Sequence, residues 1–317
     1  MPENLRLHHP WLVAVWPGMG HVALNAGVYL LSKLGMTAVA ELESGELFDI
    51  DHVEVKEGII QPARRARNRF FVWNDPKKEH DLVVFLGEAQ PPIGRFPFCR
   101  QVMGFAREVG VERVFTFAAM ATRMHPEHRS RVFGAVTERE GLDELQRLDL
   151  ELLEDGNIGG LNGVLLAAAA EVGLPGVCFL GEMPHIFARL PFPKASLAIL
   201  EVFKTISGIK LDLGELAEQA QAVEEQLGEL LAQVEEQYGQ QFSGNDEDED
   251  EESEPESVEI EGVEGEEPDR DRIAEMFQAA AKDRSKAFEL KRELDRLGLF
   301  KEYEDRFLDL FQKQKRE

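Results

Sequence analysis

Residues 12–27, "LVAVWPGMGHVALNAG", pass from an apolar run of strand length through a glycine turn into a helix-forming run. Strand, turn and helix in that order open many α/β domains, and the glycines mark where the chain reverses tightly. Gly18, Gly20 and Ala23 carry the spacing of a dinucleotide fingerprint, in which glycine lets the backbone meet a pyrophosphate and a small residue lets helix pack on strand. Glu43, near the end of the next strand, is the acid that such a site sets against a ribose hydroxyl. Pro17 stiffens a turn that the fingerprint leaves flexible, and Gly27 puts a further small position inside the helix. The stretch supports two readings, a cofactor loop or a structural joint, and the wider pattern of the chain favours the joint with no cofactor.

Outward from this stretch, strand-length apolar runs recur near 12–16, 37–41, 70–73, 81–86, 113–118, 131–136 and 177–180. Segments of helical period lie near 21–34, 97–109, 138–152, 160–172 and 194–206. Runs such as "LVVFL" and "VCFL" are apolar at every position, which suits strands covered on both faces. The pattern predicts a three-layer α/β/α sandwich with a mostly parallel sheet. Residues 1–212 make this α/β core domain, and 213–242 read as one long amphipathic helix rich in Glu and Gln.

Residues 243–269 are an acidic stretch expected to be a disordered linker, because like charges repel and little apolar surface is available for burial. Residues 270–317 resume helical periodicity, with Ile273, Phe277, Ala280 and Ala281 on one stripe and two helices hinged near Gly298.

The 317-residue chain is 43% hydrophobic, enough for a full core, and carries a formal charge of −25. Residues 245–269 hold 15 acids and no Lys or Arg, so the remainder is only mildly acidic, at 45 acids against 35 bases. Such a balance argues against polyanionic partners, so neither nucleic acid nor an anionic membrane surface is expected. Cys99 and Cys178 are too few for a disulfide framework or a zinc ribbon, and no metal site is expected. The first residues show no basic-then-apolar leader, and the low-charge stretch 161–181 is broken by Glu171 and "GLPG". A cytoplasmic protein is the expectation.

A local echo, "VVFLGEAQPP" and "VCFLGEMPH", puts Glu88 and Glu182 just past the ends of two strands. Open α/β sheets bind ligands outside the carboxyl ends of their strands, so Gly18, Gly20, Glu88 and Glu182 would share one edge. "EDGNIGGLNG" adds Gly159 and Gly160 at the opening of an apolar helix, whose free N–H groups suit an anion. These six residues form the candidate ligand site. Against it stand packing roles for the glycines and capping or arginine-pairing roles for the glutamates. "TRMHPEHR" lacks the HExxH spacing of a zinc site, and Arg64, Arg65, Arg67 and Arg69 suit a partner surface. No catalytic residue is assigned.

In order along the chain, "WPGMGHVALNAGVYLLSKLG", "DLVVFLGEAQPP", "VGVERVFTFAAMATRMHP", "GNIGGLNGVLLAAAAEVGLPGVCFLGE" and "PFPKASLAILEVFKTISGIKLDLGEL" resemble the proteasome-assembly-chaperone family, second type, in its bacterial and archaeal branch. The resemblance spans roughly residues 10–235 and excludes the acidic stretch and the terminal helices. It implies a fold similar to the phosphorylase/hydrolase-like folds, assembly into homo-oligomers and chaperoning of proteasome assembly, with no established catalytic residues. Members that dock on the proteasome end in a hydrophobic residue, a tyrosine and one more residue, whereas this chain ends "FQKQKRE". The expectation is a non-enzymatic, oligomeric, protein-binding chaperone-like protein whose contacts lie elsewhere, for example on the helix 213–242 or the C-terminal helices. The alternative is an enzyme or nucleotide binder using the sheet edge.

Overall fold

A computed structural model describes residues 5–43, 46–48, 53, 55–56, 58–61, 65–148, 150–242 and 270–312, with side chains through 233 in the helix that ends at residue 242. The expected acidic linker and Arg64 lie outside the described residues. In chain order the core runs β1 (Trp11–Val15), α1 (Val22–Lys33), β2 (Thr37–Glu41), a small hairpin of β3 (Val55–Lys56) and β4 (Ile59–Ile60), β5 (Asn68–Trp73), β6 (Leu82–Gly87), α2 (Arg95–Glu108) and β7 (Arg113–Thr122). It continues through β8 (Val132–Val136), α3 (Glu140–Arg147), β9 (Glu151–Leu152), α4 (Gly160–Glu171), β10 (Gly176–Pro184), α5 (Pro193–Ser207) and α6 (Gly214–Phe242). The C-terminal segment is α7 (Arg270–Lys282), α8 (Ala287–Arg296) and α9 (Phe300–Asp309).

Eight strands form one sheet in the order β2-β5-β6-β1-β7-β10-β8-β9. The central four, β6-β1-β7-β10, are parallel, while β5 runs antiparallel to β6 and to β2, and β8 antiparallel to β10. The sheet is therefore mixed rather than mostly parallel. The cause lies in the connections: β5 turns directly into β6 and β7 reaches β8 through a loop, and without a crossover helix the chain returns in the opposite direction.

Alternate β1 side chains feed two cores. Leu12, Ala14 and Trp16 pack with α2 and α4, whereas Trp11, Val13 and Val15 pack with α1 and α5. This double burial is why the strand runs are apolar at every position.

Three further elements differ from expectation. Residues 138–152 are not one helix: α3 stops at Arg147 and Glu151–Leu152 become β9, which pairs with Phe133 and Gly134 of β8. The segment after 270 holds three α-helices rather than two. Gly298, at φ +66°, separates α8 from α9, and the extra break follows α7, where the Asp283 carboxylate accepts the Ser285 N–H at 3.0 Å. Strands β7 and β10 also run past 118 and 180, so Glu182 sits inside β10 rather than beyond it.

The C-terminal helices lie on their own core. Phe288 meets Tyr29 of α1 edge-on at 4.5 Å, and Ile273, Phe277, Leu294 and Phe307 join the α1–α5 core. Ala281 of the expected stripe is exposed. The Ala38 N–H of the edge strand β2 donates to the Phe311 carbonyl at 2.8 Å, so the segment covers that edge.

Close approach explains Gly27: a Cβ there would lie 2.5 Å from Val15 Cγ2, a side chain with no flexible end to yield. Gly27→Ala should destabilise the chain by about 1–3 kcal/mol. Urea unfolding should show a lower midpoint with an unchanged slope, and an unchanged midpoint would contradict this packing.

Candidate functional site at the carboxyl edge of the sheet

The turn after β1 is a joint in this structure. Gly20 lies at φ +58°, its N–H donates to the Ala188 carbonyl at 2.9 Å, and its own carbonyl accepts the Phe192 N–H at 2.9 Å. A Cβ on Gly20 would stand 2.7 Å from Met183 Sδ, so glycine here admits β10. Gly18 is extended, and a Cβ there would meet nothing within 4 Å. His21, at φ +51°, has its imidazole pKa pushed down, first by burial and then by Lys291, with Asp295 opposing.

Glu88 follows β6 and is buried with Arg69 of β5, Oε1 to the guanidinium at 2.9 Å, while Oε2 accepts the Arg67 N–H at 2.9 Å. Arg69 also reaches Asp305 at 2.6 Å and Asp309 at 3.1 Å on α9, and Arg67 pairs with Glu41 at 2.6 Å. The Arg67 hydrogen bonds hold the Glu41 carboxyl below its usual range.

Glu182 makes a second such arrangement. Its Oε1 accepts from Thr122 Oγ1 at 2.8 Å and from Arg131 at 2.6 Å, and its Oε2 takes Arg131 Nε at 2.7 Å, a bidentate fork. Arg131 also holds Glu151 at 2.9 Å. Glu88 and Glu182 share the edge yet do not meet, because β1 and β7 intervene, a separation of roughly 14 Å at strand spacing.

The helix that Gly159 and Gly160 open is already capped. Gln90 Oε1 accepts the Leu161 N–H at 3.1 Å, and Gln90 Nε2 donates to the Pro17 carbonyl at 3.1 Å, tying three loops together. Gly160, at φ +67°, would bring a Cβ to 2.8 Å from Gln90 Oε1. The glycine thus admits a side-chain amide where an anion could otherwise sit.

Beside these groups lies a cleft of about 690 Å³ between core and C-terminal helices, lined among others by His21, Glu88, Gln90, Arg95, Lys301 and Glu304. Of the six predicted residues only Glu88 lines it. Gln90 and Arg131 were missed by sequence reasoning, although Gln90 stands in the quoted "GEAQPP" and Arg131 opens a predicted strand. Among the described residues no group of three or more His, Cys, Asp or Glu is placed to hold a metal ion, and no helix is long and apolar enough to cross a membrane. Burial pushes the Cys99 and Cys178 thiols up to about 12, which leaves them protonated and unreactive at neutral pH.

The sequence profile of the PAC2 family matches residues 12–231. An uncharacterized protein of Methanocaldococcus jannaschii is 28% identical over 222 residues, covering 69% of this chain and 82% of that protein. Among solved structures, Pyrococcus furiosus PbaB, an archaeal proteasome activator, is similar with a TM-score of 0.62 at 26% identity, covering 74% of this chain and 96% of that one. Pyrococcus furiosus PbaA, an archaeal homolog of proteasome-assembly chaperone, gives 0.56 at 25% identity, covering 74% and 98%. The helices α7–α9 lie beyond the family match.

Hydrogen bonds from Arg131 hold the Glu182 carboxyl below the usual glutamate range, against burial, and Thr122 adds to them. A depressed folded pKa stabilises fully above the unfolded value of about 4.3 and is lost as pH falls through the folded one. Glu182→Gln should therefore be less stable than the parent at pH 7, with the gap closing as pH drops below about 4. Urea midpoints across that range provide the check, and a gap that widens in acid would contradict the assignment.

Proposed function

The chain belongs to the PAC2 family, and on that premise we propose that it is a non-enzymatic, protein-binding, chaperone-like protein acting as a homo-oligomer in the cytoplasm. PbaB is an archaeal proteasome activator and PbaA a homolog of the proteasome-assembly chaperone, and by that likeness the partner class is a multisubunit protein assembly. We read residues 1–212, akin to the phosphorylase/hydrolase-like folds, as a rigid platform, with 213–242 and 270–317 as helical additions joined through 243–269.

The chemistry of the sheet edge carries this reading. Its polar groups are engaged with one another: Glu88 with Arg69, Glu182 with Arg131, Gln90 with the start of α4 and Gly20 with the β10–α5 connection. On the same edge, the loops after β1, β6 and β10 hold Met19, Ile93 and Ile186 at 47%, 68% and 38% exposure. Paired polar groups beneath exposed apolar tips suit a protein contact better than a polar ligand.

The cleft beside Arg95 and His21 favours a second reading, a bound nucleotide or phosphate compound. Thermal-shift measurement separates the two, since a ligand at 100 times its Kd adds about 2.7 kcal/mol. We predict no rise in Tm with nucleotides or inorganic phosphate, and by native mass spectrometry an oligomer that Ile93→Lys weakens while circular dichroism shows the fold unchanged. A rise in Tm that Arg95→Ala abolishes would move the assignment to the second reading, and a monomer at all concentrations would contradict the first.

A further inference from the structure

The helices α7–α9 sit on the core but contribute nothing to its sheet and lie beyond the family match. All eight strands of the sheet and the helices α1–α5 on its two faces lie between residues 11 and 207, and the family match ends at 231. The segment reaches this surface through the 27 residues 243–269. We infer that α7–α9 are a tethered self-ligand, occupying a docking surface built from Arg67, Arg69 and the outer edge of β2 that fits an amphipathic helix with carboxylates four residues apart. The inference rests on the protein-binding reading in taking this edge of the molecule as a docking face.

Arg67 and Arg69 are two residues apart at the start of a strand and so face the same way. Each spends part of its guanidinium on a core carboxylate, Arg67 on Glu41 and Arg69 on Glu88. Terminal guanidinium N–H groups of both also reach α9, where Asp305 and Asp309 lie one helical turn apart. Asp305 is 2.6 Å from Arg69 and Asp309 is 3.1 Å from it, and both are 3.4 Å from Arg67. The core contributes paired cations and the helix contributes matching carboxylates, so the contact selects by chemistry as well as by shape. Apolar anchoring comes from Phe288 against Tyr29 and Phe311 against Phe71 at 6.2 Å, and the Phe311 carbonyl takes one N–H of the β2 edge.

Seating also carries an opposing cost. Two ion pairs internal to the segment, Lys291 with Asp295 and Lys301 with Glu304, lie where it meets the core; Lys291 and Glu304 are about 1% exposed, whereas the Lys301 side chain is 71% exposed. From the core, Lys291 takes the Asn25 amide oxygen and Lys301 the Glu88 carbonyl, both neutral acceptors. The lost hydration of Lys291 and Glu304 offsets part of the apolar gain. A partner helix with the same acidic spacing but without those buried charges would compete for the surface.

The test uses the full chain with a specific protease site placed within residues 243–269. After cutting, a fluorescent peptide of residues 270–317 is added and its uptake followed by anisotropy. We expect exchange into the cut chain, uptake weakened about tenfold or more by Asp305→Lys with Asp309→Lys in the peptide, and weakening of the parent peptide in about 0.5 M salt. The equally charged control Glu289→Lys with Glu302→Lys, at exposed positions, should bind as the parent does. No exchange short of unfolding, equal uptake of the Asp305/Asp309 variant, or equal weakening by the control would overturn the inference. Because no outside partner enters the assay, failure to find a client protein leaves its result intact.

Discussion

Burial of the Glu88 carboxylate against the Arg69 guanidinium is the interaction on which the carboxyl edge of the sheet depends. Side-chain exposures of 1% and 3% take both charges out of water, at a cost of several kcal/mol per ion that hydrogen-bonding and charged partners must offset. The partners are specific and come from several parts of the chain: the Arg67 N–H, then Asp305 and Asp309 from a helix more than 200 residues away. The pair holds β5 to β6 where Asn68 opposes Gly87, and through Arg69 it also fixes where α9 lies. One buried ion pair thus ties the sheet register to the seating of the C-terminal segment.

The mixed topology makes this possible. Parallel strands β6 and β10 end at the edge and leave their glutamates there, whereas antiparallel β5 and β8 begin at the same edge. The residues at their starts, Arg67 and Arg69 in one case and Arg131 just before the other, are therefore delivered to the carboxylates. A purely parallel sheet would present glutamates with no basic residue arriving from a neighbouring strand, which is the arrangement of an open ligand site. The two echoed segments, "FLGEAQ" and "FLGEMP", reach the same solution on opposite sides of the central strands β1 and β7.

Much of the architecture was legible because double burial writes itself into every position of a strand. The runs around Leu12, Val83 and Val177 show it, and so does the resemblance carried by the ordered blocks. Strand direction was not legible, since an apolar run reads the same both ways and only the absence of a helix between Trp73 and Leu82 hinted at reversal. That omission also hid the partners of Glu88 and Glu182. The role of Gln90 escaped for a different reason: a single amide capping a helix 71 residues later leaves no periodic or compositional trace. Residues 138–152 misled because β9 owes its conformation to the exposed edge of β8, a tertiary contact that overrides the local helical pattern.

The most direct test of this account is a double-mutant cycle on the full chain, Arg69→Met and Glu88→Gln, singly and together, followed by urea unfolding at neutral pH. Arg69→Met leaves the buried Glu88 carboxylate without its counter-charge and should cost about 3–5 kcal/mol, Glu88→Gln leaves Arg69 to Asp305 and Asp309 and should cost less, and the double variant should cost far less than their sum. Additive losses would show that the two side chains act independently and would contradict a carboxyl edge organised around their pairing.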